Sequence, residues 1–113
     1  MISPLAYNYL VFRQMPPFKG KVLFDADDVE FRVTRHQDCH GLFDDRDRKG
    51  LPIIAISEVH VKTPLQLLET MAHEMVHMVL YKRSHSKWNA HGPSFKAFSK
   101  RVCSAFGFNL ETF

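Results

Sequence analysis

The N-terminal part of the chain has the hydrophobic pattern of a short helix. Apolar side chains recur there at every third or fourth position, at Ile2, Leu5, Tyr9 and Phe12. This spacing places them on one face of an α-helix. Pro16-Pro17 is expected to end the helix, because proline has no backbone N–H to donate and clashes with the preceding turn.

Three later segments have the patterns of β-strands. Residues 29–34 alternate apolar and polar side chains, which is the period of a half-buried strand. A second strand is predicted over His40 to Phe43, and a third over the β-branched run Leu51 to Ile56. The highly polar run Asp44 to Gly50 between them predicts a turn or loop. Because these connections are too short for crossovers, we expect a three-stranded antiparallel sheet.

The clearest predicted element is a long helix that begins after Thr63. Thr63 is an expected N-cap, Pro64 occupies the first helical position, and Gln66 completes a capping box. An apolar stripe follows at helical spacing, formed by Leu65, Leu68, Ala72, Met75, Val76 and Val79. Lys82-Arg83 place positive charge at the C-terminal end, where the helix dipole favours it.

A last helix is predicted to begin at Gly92-Pro93 and to end at Gly107, a favourable C-terminal cap. One face of it is apolar, with Phe95, Phe98, Val102 and Phe106. The expected fold is therefore α+β: an N-terminal helix, a three-stranded antiparallel sheet and two further helices. The length of 113 residues predicts one domain over residues 1–113.

Composition narrows the class of protein. Apolar residues make up 45% of the chain and charged residues 24%, which is typical of a globular protein. No apolar run approaches the ~20 residues of a membrane span. The N-terminus lacks the basic and apolar regions of a secretory signal, and Cys39 and Cys103 form no disulfide or zinc-binding pattern. An intracellular, non-secreted protein without a membrane partner is expected, of undetermined oligomeric state.

Charge is distributed unevenly along a chain of net charge +3. Every acidic residue except Glu111 lies at or before Glu74. The segment from Lys82 to Arg101 contains six basic residues and no acidic one. Such a segment could contact DNA or another nucleic acid, although lysines that only solvate a helix produce the same pattern.

The long helix carries the pattern His73-Glu74-Met75-Val76-His77. Residues four apart share a helix face, so His73 and His77 can direct imidazole nitrogens at one ion. Glu74 is offset by about 100° and can reach a metal-bound water without ligating the metal. Zinc acidifies that water and the carboxylate can take its proton, so the pattern indicates hydrolysis. Its mid-helix position argues against a chance match.

A catalytic zinc usually has a third protein ligand and one open position. An acidic third ligand is disfavoured, because no Asp or Glu occurs between His77 and Glu111. His85 and His91 remain. His91 is favoured because it directly precedes a helix that can hold it, whereas His85 would have to fold straight back. Gly92 is expected to remove side-chain bulk beside the metal.

Three segments together resemble the SprT-like family, which includes the Spartan proteases that degrade DNA-crosslinked proteins. They are the strand from Ile53 to Ser57, the capped helix with the His73–His77 pattern, and His91-Gly92-Pro93-Ser94-Phe95. The resemblance extends from about Val29 to Phe106. Fuller members of the family carry a zinc ribbon after this core. Two isolated cysteines cannot form one, so DNA contact would have to come from the basic surface or from a partner, or does not occur.

The resemblance implies a minimal zincin-like domain that hydrolyses peptide bonds, usually near DNA. It implies one Zn²⁺ ion on His73, His77 and His91, with Glu74 as the catalytic base. One alternative is a non-catalytic, zinc-stabilised nucleic-acid-binding module, and another is a zinc hydrolase with a non-protein substrate. Glu74 separates the first alternative from a protease, since a structural zinc site does not require it.

Further expectations concern the substrate. The strand Ile53 to Ser57 is expected to present an edge to the cleft, where an extended peptide could pair with it. Tyr81, Arg83 and His85 are candidate donors to the oxyanion of the transition state, and spacing selects none of them. Trp88 could stack on a base or close over the cleft, but a loop aromatic more often packs against its own domain.

Overall fold

A computed structural model describes residues 3–113. It has three α-helices and one three-stranded sheet, which confirms the predicted α+β class. The elements in chain order are α1 Pro4–Arg13, β1 Glu30–Thr34, β2 Gly41–Asp44, β3 Ile53–Ser57, α2 Pro64–Lys82 and α3 Pro93–Phe106. A short 3₁₀ turn, Ala26–Asp28, precedes β1. Ile2 of the predicted N-terminal stripe lies outside the described residues. Over residues 3–113, no helix combines the length and hydropathy needed to cross a bilayer.

The helix ends follow the predicted capping chemistry. The Thr63 side chain accepts a hydrogen bond from Gln66 N, and the Gln66 side chain accepts one from Thr63 N, so the capping box of α2 is complete. The α3 helix ends at Gly107, whose φ of 76° lies in the left-handed region that glycine adopts without a Cβ clash. These local signals place both ends of α2 and the C-terminal end of α3 where the sequence predicts them.

The sheet is mixed rather than antiparallel, with the strand order β1-β3-β2. β2 pairs with β3 in antiparallel register, with Gly41 opposite Ile56, but β1 pairs with β3 in parallel, with Glu30 opposite Ile53. Residues 35–40 carry the chain past the C-terminal end of β3 to the far edge. The prediction of a fully antiparallel sheet was wrong, because short loops fix the direction of successive strands and not which strands become neighbours.

This order makes β3 the central strand. It pairs with β1 on one side and with β2 on the other, so it has no free edge, and the expectation that it presents an edge to the cleft was wrong. The edge strand beside α2 is β2. Gly41 of β2 lies close to both α2 and β3. A Cβ built on Gly41 would lie 2.7 Å from Thr70 Cγ2 of α2 and 2.8 Å from the Ala55 carbonyl oxygen of β3.

The core fixes the orientation of α2. One side of the helix is fully buried and includes Met71, Met75 and Met78, each at 0% exposure. Tyr9 of α1 packs here and donates its hydroxyl hydrogen bond to the Phe24 carbonyl, with Met78 Sδ also in reach. Burial of each such side chain stabilises the fold by about 1.5–3 kcal/mol. Because α2 cannot rotate, the face with His73 and His77 is held towards one side of the sheet.

Candidate functional site

Three histidines from two elements converge at one point. His73 and His77 lie one turn apart on α2, with ring centroids 5.1 Å apart, and His91 directly precedes α3. One ring nitrogen from each lies within 4.8 Å of the other two. The Nε2 atoms of His77 and His91 are 3.2 Å apart. The structure thus brings together the three histidines that the sequence predicts.

Backbone carbonyls from outside α2 orient the two helical histidines. His73 Nδ1 lies 2.7 Å from the Phe113 carbonyl oxygen, and His77 Nδ1 lies 2.8 Å from that of Trp88. A carbonyl oxygen can only accept, so each Nδ1 donates its hydrogen there. The proton on Nδ1 leaves each Nε2 with a free lone pair, as a metal ligand requires.

The donor set fits a zinc ion. Imidazole nitrogens suit zinc, and three protein ligands with one open position are typical of catalytic zinc sites. Two nitrogens at about 2.0–2.1 Å from a tetrahedral ion lie about 3.3 Å from each other. The observed separation of 3.2 Å between His77 Nε2 and His91 Nε2 is close to this value. The three histidines therefore have the chemistry and the spacing to hold a metal ion.

Glu74 lies beside this cluster but points towards β2. Its side chain is only 4% exposed and lies beside the backbone of Phe43, whose N–H favours the charged form. Burial raises the pKa of Glu74 from 4.5 to about 8, while the Phe43 hydrogen bond acts in the opposite direction. In the metal-free protein the group is therefore a carboxylic acid below about pH 8 and a carboxylate that can accept a proton above it.

The two helical histidines are shifted in the opposite direction. Burial, with smaller contributions from His77 and His91, lowers the pKa of His73 from 6.5 to about 4. Burial also lowers the pKa of His77. Both imidazoles are therefore neutral at pH 7, the protonation state in which histidine binds a metal.

These groups line a cleft of about 630 Å³. One wall is formed by residues 39–43, which lead into and include most of β2, and the opposite wall by α2. Other lining residues come from the loop before α3 and from the end of the chain: Asn89, His91, Thr112 and Phe113. A substrate in the cleft would meet the histidine cluster and Glu74 together.

A family model of SprT-like proteins matches residues 6–113. The chain belongs to the SprT-like family. The match is longer than the resemblance seen in the sequence, since it also covers α1 and the residues after α3. This family is one of zinc metalloprotease-like proteins, and the SprT-like chain described here has three histidines that could hold the metal.

Several side chains considered from sequence take no part in the described site of this SprT-like protein. His85 is engaged elsewhere: its Nε2 lies 3.0 Å from Ser94 Oγ, and its Nδ1 accepts a hydrogen bond from Lys87 N. Neither Tyr81 nor Arg83 lines the cleft. The Trp88 ring packs against other aromatic rings, those of Phe43 and Tyr81. A Cβ on Gly92 would meet no described atom within 4 Å, so the protein itself does not require glycine there for space.

The sequence reasoning missed three parts of the SprT-like site. They are the Phe113 and Trp88 carbonyls, which orient histidines, and Gly41, against which Glu74 packs. Backbone carbonyls have no residue-specific signature, so no pattern could have revealed the first two. Gly41 did carry a signal, since an isolated glycine in a strand often marks a close approach of another element.

Proposed function

We propose that this protein is a zinc-dependent metallopeptidase that hydrolyses peptide bonds. The observation that carries the proposal is the convergence of His73, His77 and His91 in one cleft beside the buried carboxyl of Glu74. Membership of the SprT-like family supports it. His73, His77 and His91 would hold one zinc ion.

Zinc at this position would supply an acidified water molecule and polarise the substrate carbonyl. Glu74 is the residue that moves the proton: its carboxylate accepts one from the attacking water and then releases it to the leaving amine. The backbone N–H of Phe43 favours that carboxylate, and burial between α2 and β2 keeps bulk water from it. The Phe113 and Trp88 carbonyls hold the imidazoles of His73 and His77 in one tautomer.

The substrate proposed for the cleft is an extended peptide aligned with β2. This strand pairs with β3 on one side and is the edge of the sheet on the other. Backbone hydrogen bonds to a strand edge select little for side chains. We therefore expect an enzyme that cleaves unfolded or extended segments of many proteins rather than one sequence.

The Glu74→Gln variant tests the proposed catalytic role. The amide is nearly isosteric but cannot accept a proton, so we expect zinc content and fold to be retained and cleavage of a denatured protein to fall at least ~100-fold. Glu58→Gln is the matched control, because Glu58 is exposed, pairs with Arg35 and does not line the cleft. Undiminished cleavage by Glu74→Gln would refute the peptidase mechanism and favour a non-catalytic zinc module.

The third ligand is tested by comparing His91→Ala with His85→Ala. We expect His91→Ala to lose most of its zinc affinity and His85→Ala to keep it, because only His91 joins the cluster. The measurement is competition against a chromophoric chelator. The reverse result would assign the third ligand to His85.

We also propose DNA as a partner, through the basic segment from Lys82 to Arg101. Arg83 and Arg101 of this segment lie 5.6 and 5.4 Å from the centroid of the Phe98 ring, and Lys21 joins them at 6.0 Å. Within residues 3–113, none of the three forms an ion pair. Three cations around one ring, with no ion pair to offset them, form a positively charged patch that would attract a phosphate backbone.

A salt series on single-stranded DNA binding tests this surface. We expect Arg83→Gln with Arg101→Gln to weaken binding and to flatten the dependence of log K on log salt by about 0.7 for each lost phosphate contact. Arg48→Gln, in the loop before β3 and outside the basic segment, is the control with an equal charge change per site. No measurable binding by the unaltered protein at low salt would refute the proposal.

A further inference from the structure

The residues after α3 fold into a compact turn. Asn109 organises it: its backbone carbonyl accepts hydrogen bonds from Thr112 N and Phe113 N at 3.2 and 3.0 Å. Its side-chain Oδ1 accepts another from Glu111 N at 2.9 Å. We refer to residues 109–113 as the C-terminal turn. The side-chain bond makes it an Asx-type turn, which depends on an oxygen acceptor at position 109.

This turn brings Phe113 to the metal-site histidines. The Phe113 carbonyl oxygen lies 2.7 Å from His73 Nδ1, and the two rings have centroids 5.3 Å apart. On its other side the Phe113 ring stacks on Phe108 at 6.1 Å. Thr112 and Phe113 also form part of the cleft wall. The contact joins residues forty positions apart in the chain, so it exists only when the turn is formed.

An imidazole at the edge of a cleft can present either nitrogen and can rotate about its own bonds. A fixed acceptor at Nδ1 removes both freedoms, because the proton stays on Nδ1 and Nε2 points away from the acceptor. His77 receives the same support from Trp88, in the loop before α3. For His73, the contact recorded at Nδ1 comes from the C-terminal turn.

We infer that the C-terminal turn is a positioning element of the metal centre, in which Asn109 shapes the turn that presents the Phe113 carbonyl to His73. The inference rests on the proposed zinc function. It assigns to residues 109–113 a role in metal affinity and geometry, through an outer hydrogen bond and not through direct ligation. Removal of a group that hydrogen-bonds to a metal ligand typically weakens metal affinity about 10- to 100-fold.

The test compares Asn109→Ala, which removes the side-chain acceptor, with Asn109→Asp, which keeps one. We expect Asn109→Ala to bind zinc about 10-fold more weakly and Asn109→Asp to stay near the unaltered protein. The second readout is the visible absorption of the cobalt-substituted protein, which reports ligand geometry. It should change in Asn109→Ala and be restored in Asn109→Asp. Leu110→Ala, at an exposed position of the same turn, is the matched control.

Deletion of residues 109–113 removes the carbonyl itself and should weaken zinc binding by about 10- to 100-fold. Phe108 N remains bonded to the Cys103 carbonyl, so the end of α3 keeps its cap. Zinc affinity within twofold of the unaltered protein for both Asn109→Ala and the deletion, with an unchanged cobalt spectrum, would overturn the inference. Faster cleavage by the deletion variant at unchanged zinc affinity would also overturn it, because the turn would then be a lid. Absence of zinc binding by the unaltered protein would instead refute the zinc proposal.

Discussion

Gly41 offers the most direct way to test how the sheet positions Glu74, the proposed catalytic carboxyl. Its φ is not positive, so glycine is required there for space and not for backbone conformation. A Cβ at this position would lie 2.7 Å from Thr70 Cγ2, 2.8 Å from the Ala55 carbonyl oxygen and 3.2 Å from Glu74 Oε2. Carbon atoms in favourable contact are about 3.5–4.0 Å apart, so the Gly41→Ala methyl overlaps at least two neighbours.

The neighbours differ in how they can respond. The Ala55 carbonyl belongs to the backbone of the central strand and cannot move without disturbing both strand pairs. The Thr70 methyl is buried on α2, so β2 and α2 must separate by several tenths of an ångström. Overpacking of this kind costs about 1–3 kcal/mol of unfolding free energy. Glu74 loses its fixed position against Phe43, and a misplacement of about 1 Å at a catalytic group can lower the rate ~100-fold.

Urea denaturation and cleavage of a denatured protein measure these two effects separately. We expect Gly41→Ala to have a lower denaturation midpoint and a kcat/KM reduced at least 10-fold, at zinc affinity close to that of the unaltered protein. Gly92→Ala is the control, because it lies beside His91 but its Cβ would meet nothing within 4 Å. Gly92→Ala should lower the free energy of unfolding by less than about 1 kcal/mol, which is the typical effect of a substitution at a helix N-cap. If Gly41→Ala matches the unaltered protein in both assays, the close contact of β2 with α2 does not position Glu74.

Further predictions concern pH and metal. Burial raises the pKa of Glu74 to about 8, so the folded metal-free protein binds more protons than the unfolded chain between pH 4.5 and 8. The stability that Glu74 contributes is therefore complete below pH 4.5 and is lost as pH rises through 8, by up to about 1.4 kcal/mol per pH unit. The depressed pKa of His73, about 4, has the opposite effect between pH 4 and 6.5: its contribution is complete above 6.5 and is lost on acidification. Denaturation in chelator from pH 6.5 to 8 should therefore show falling stability for the unaltered protein and a flatter profile for Glu74→Gln, and equal slopes would refute the assignment. Zinc at 100 times its Kd should stabilise the protein by about 2.7 kcal/mol, and Tm shifts should show little of this in His91→Ala; an equal shift in that variant would remove His91 from the site.

Local patterns were sufficient for the helices and for two residues of the histidine cluster. Thr63, Pro64 and Gln66 specify the start of α2 through contacts within a single turn, and the capping box forms as predicted. A spacing of four on that helix then places His73 and His77 on the same face. The choice of His91 over His85 also agrees with the cluster in the structure, because a residue at the start of a helix has few positions available to it.

The strand order of the sheet could not be predicted from local sequence patterns. Loop lengths between successive strands say little about whether a third strand enters between them, so the parallel pairing of β1 with β3 was not predictable. As a result the predicted edge strand, Ile53–Ser57, is central, and the edge that faces the cleft is β2. Strand order is settled by burial over the whole domain, and no short pattern encodes it.

The sequence by itself determined helix α2, its two histidines and the adjacent glutamate, because short-range hydrogen bonds and helical periodicity depend directly on residue types. Only the tertiary structure decided what surrounds them: the Gly41 contact that confines Glu74, and the Trp88 and Phe113 carbonyls that orient His77 and His73. Every residue except proline offers the same backbone donor and acceptor, so such partners are chosen by the path of the chain.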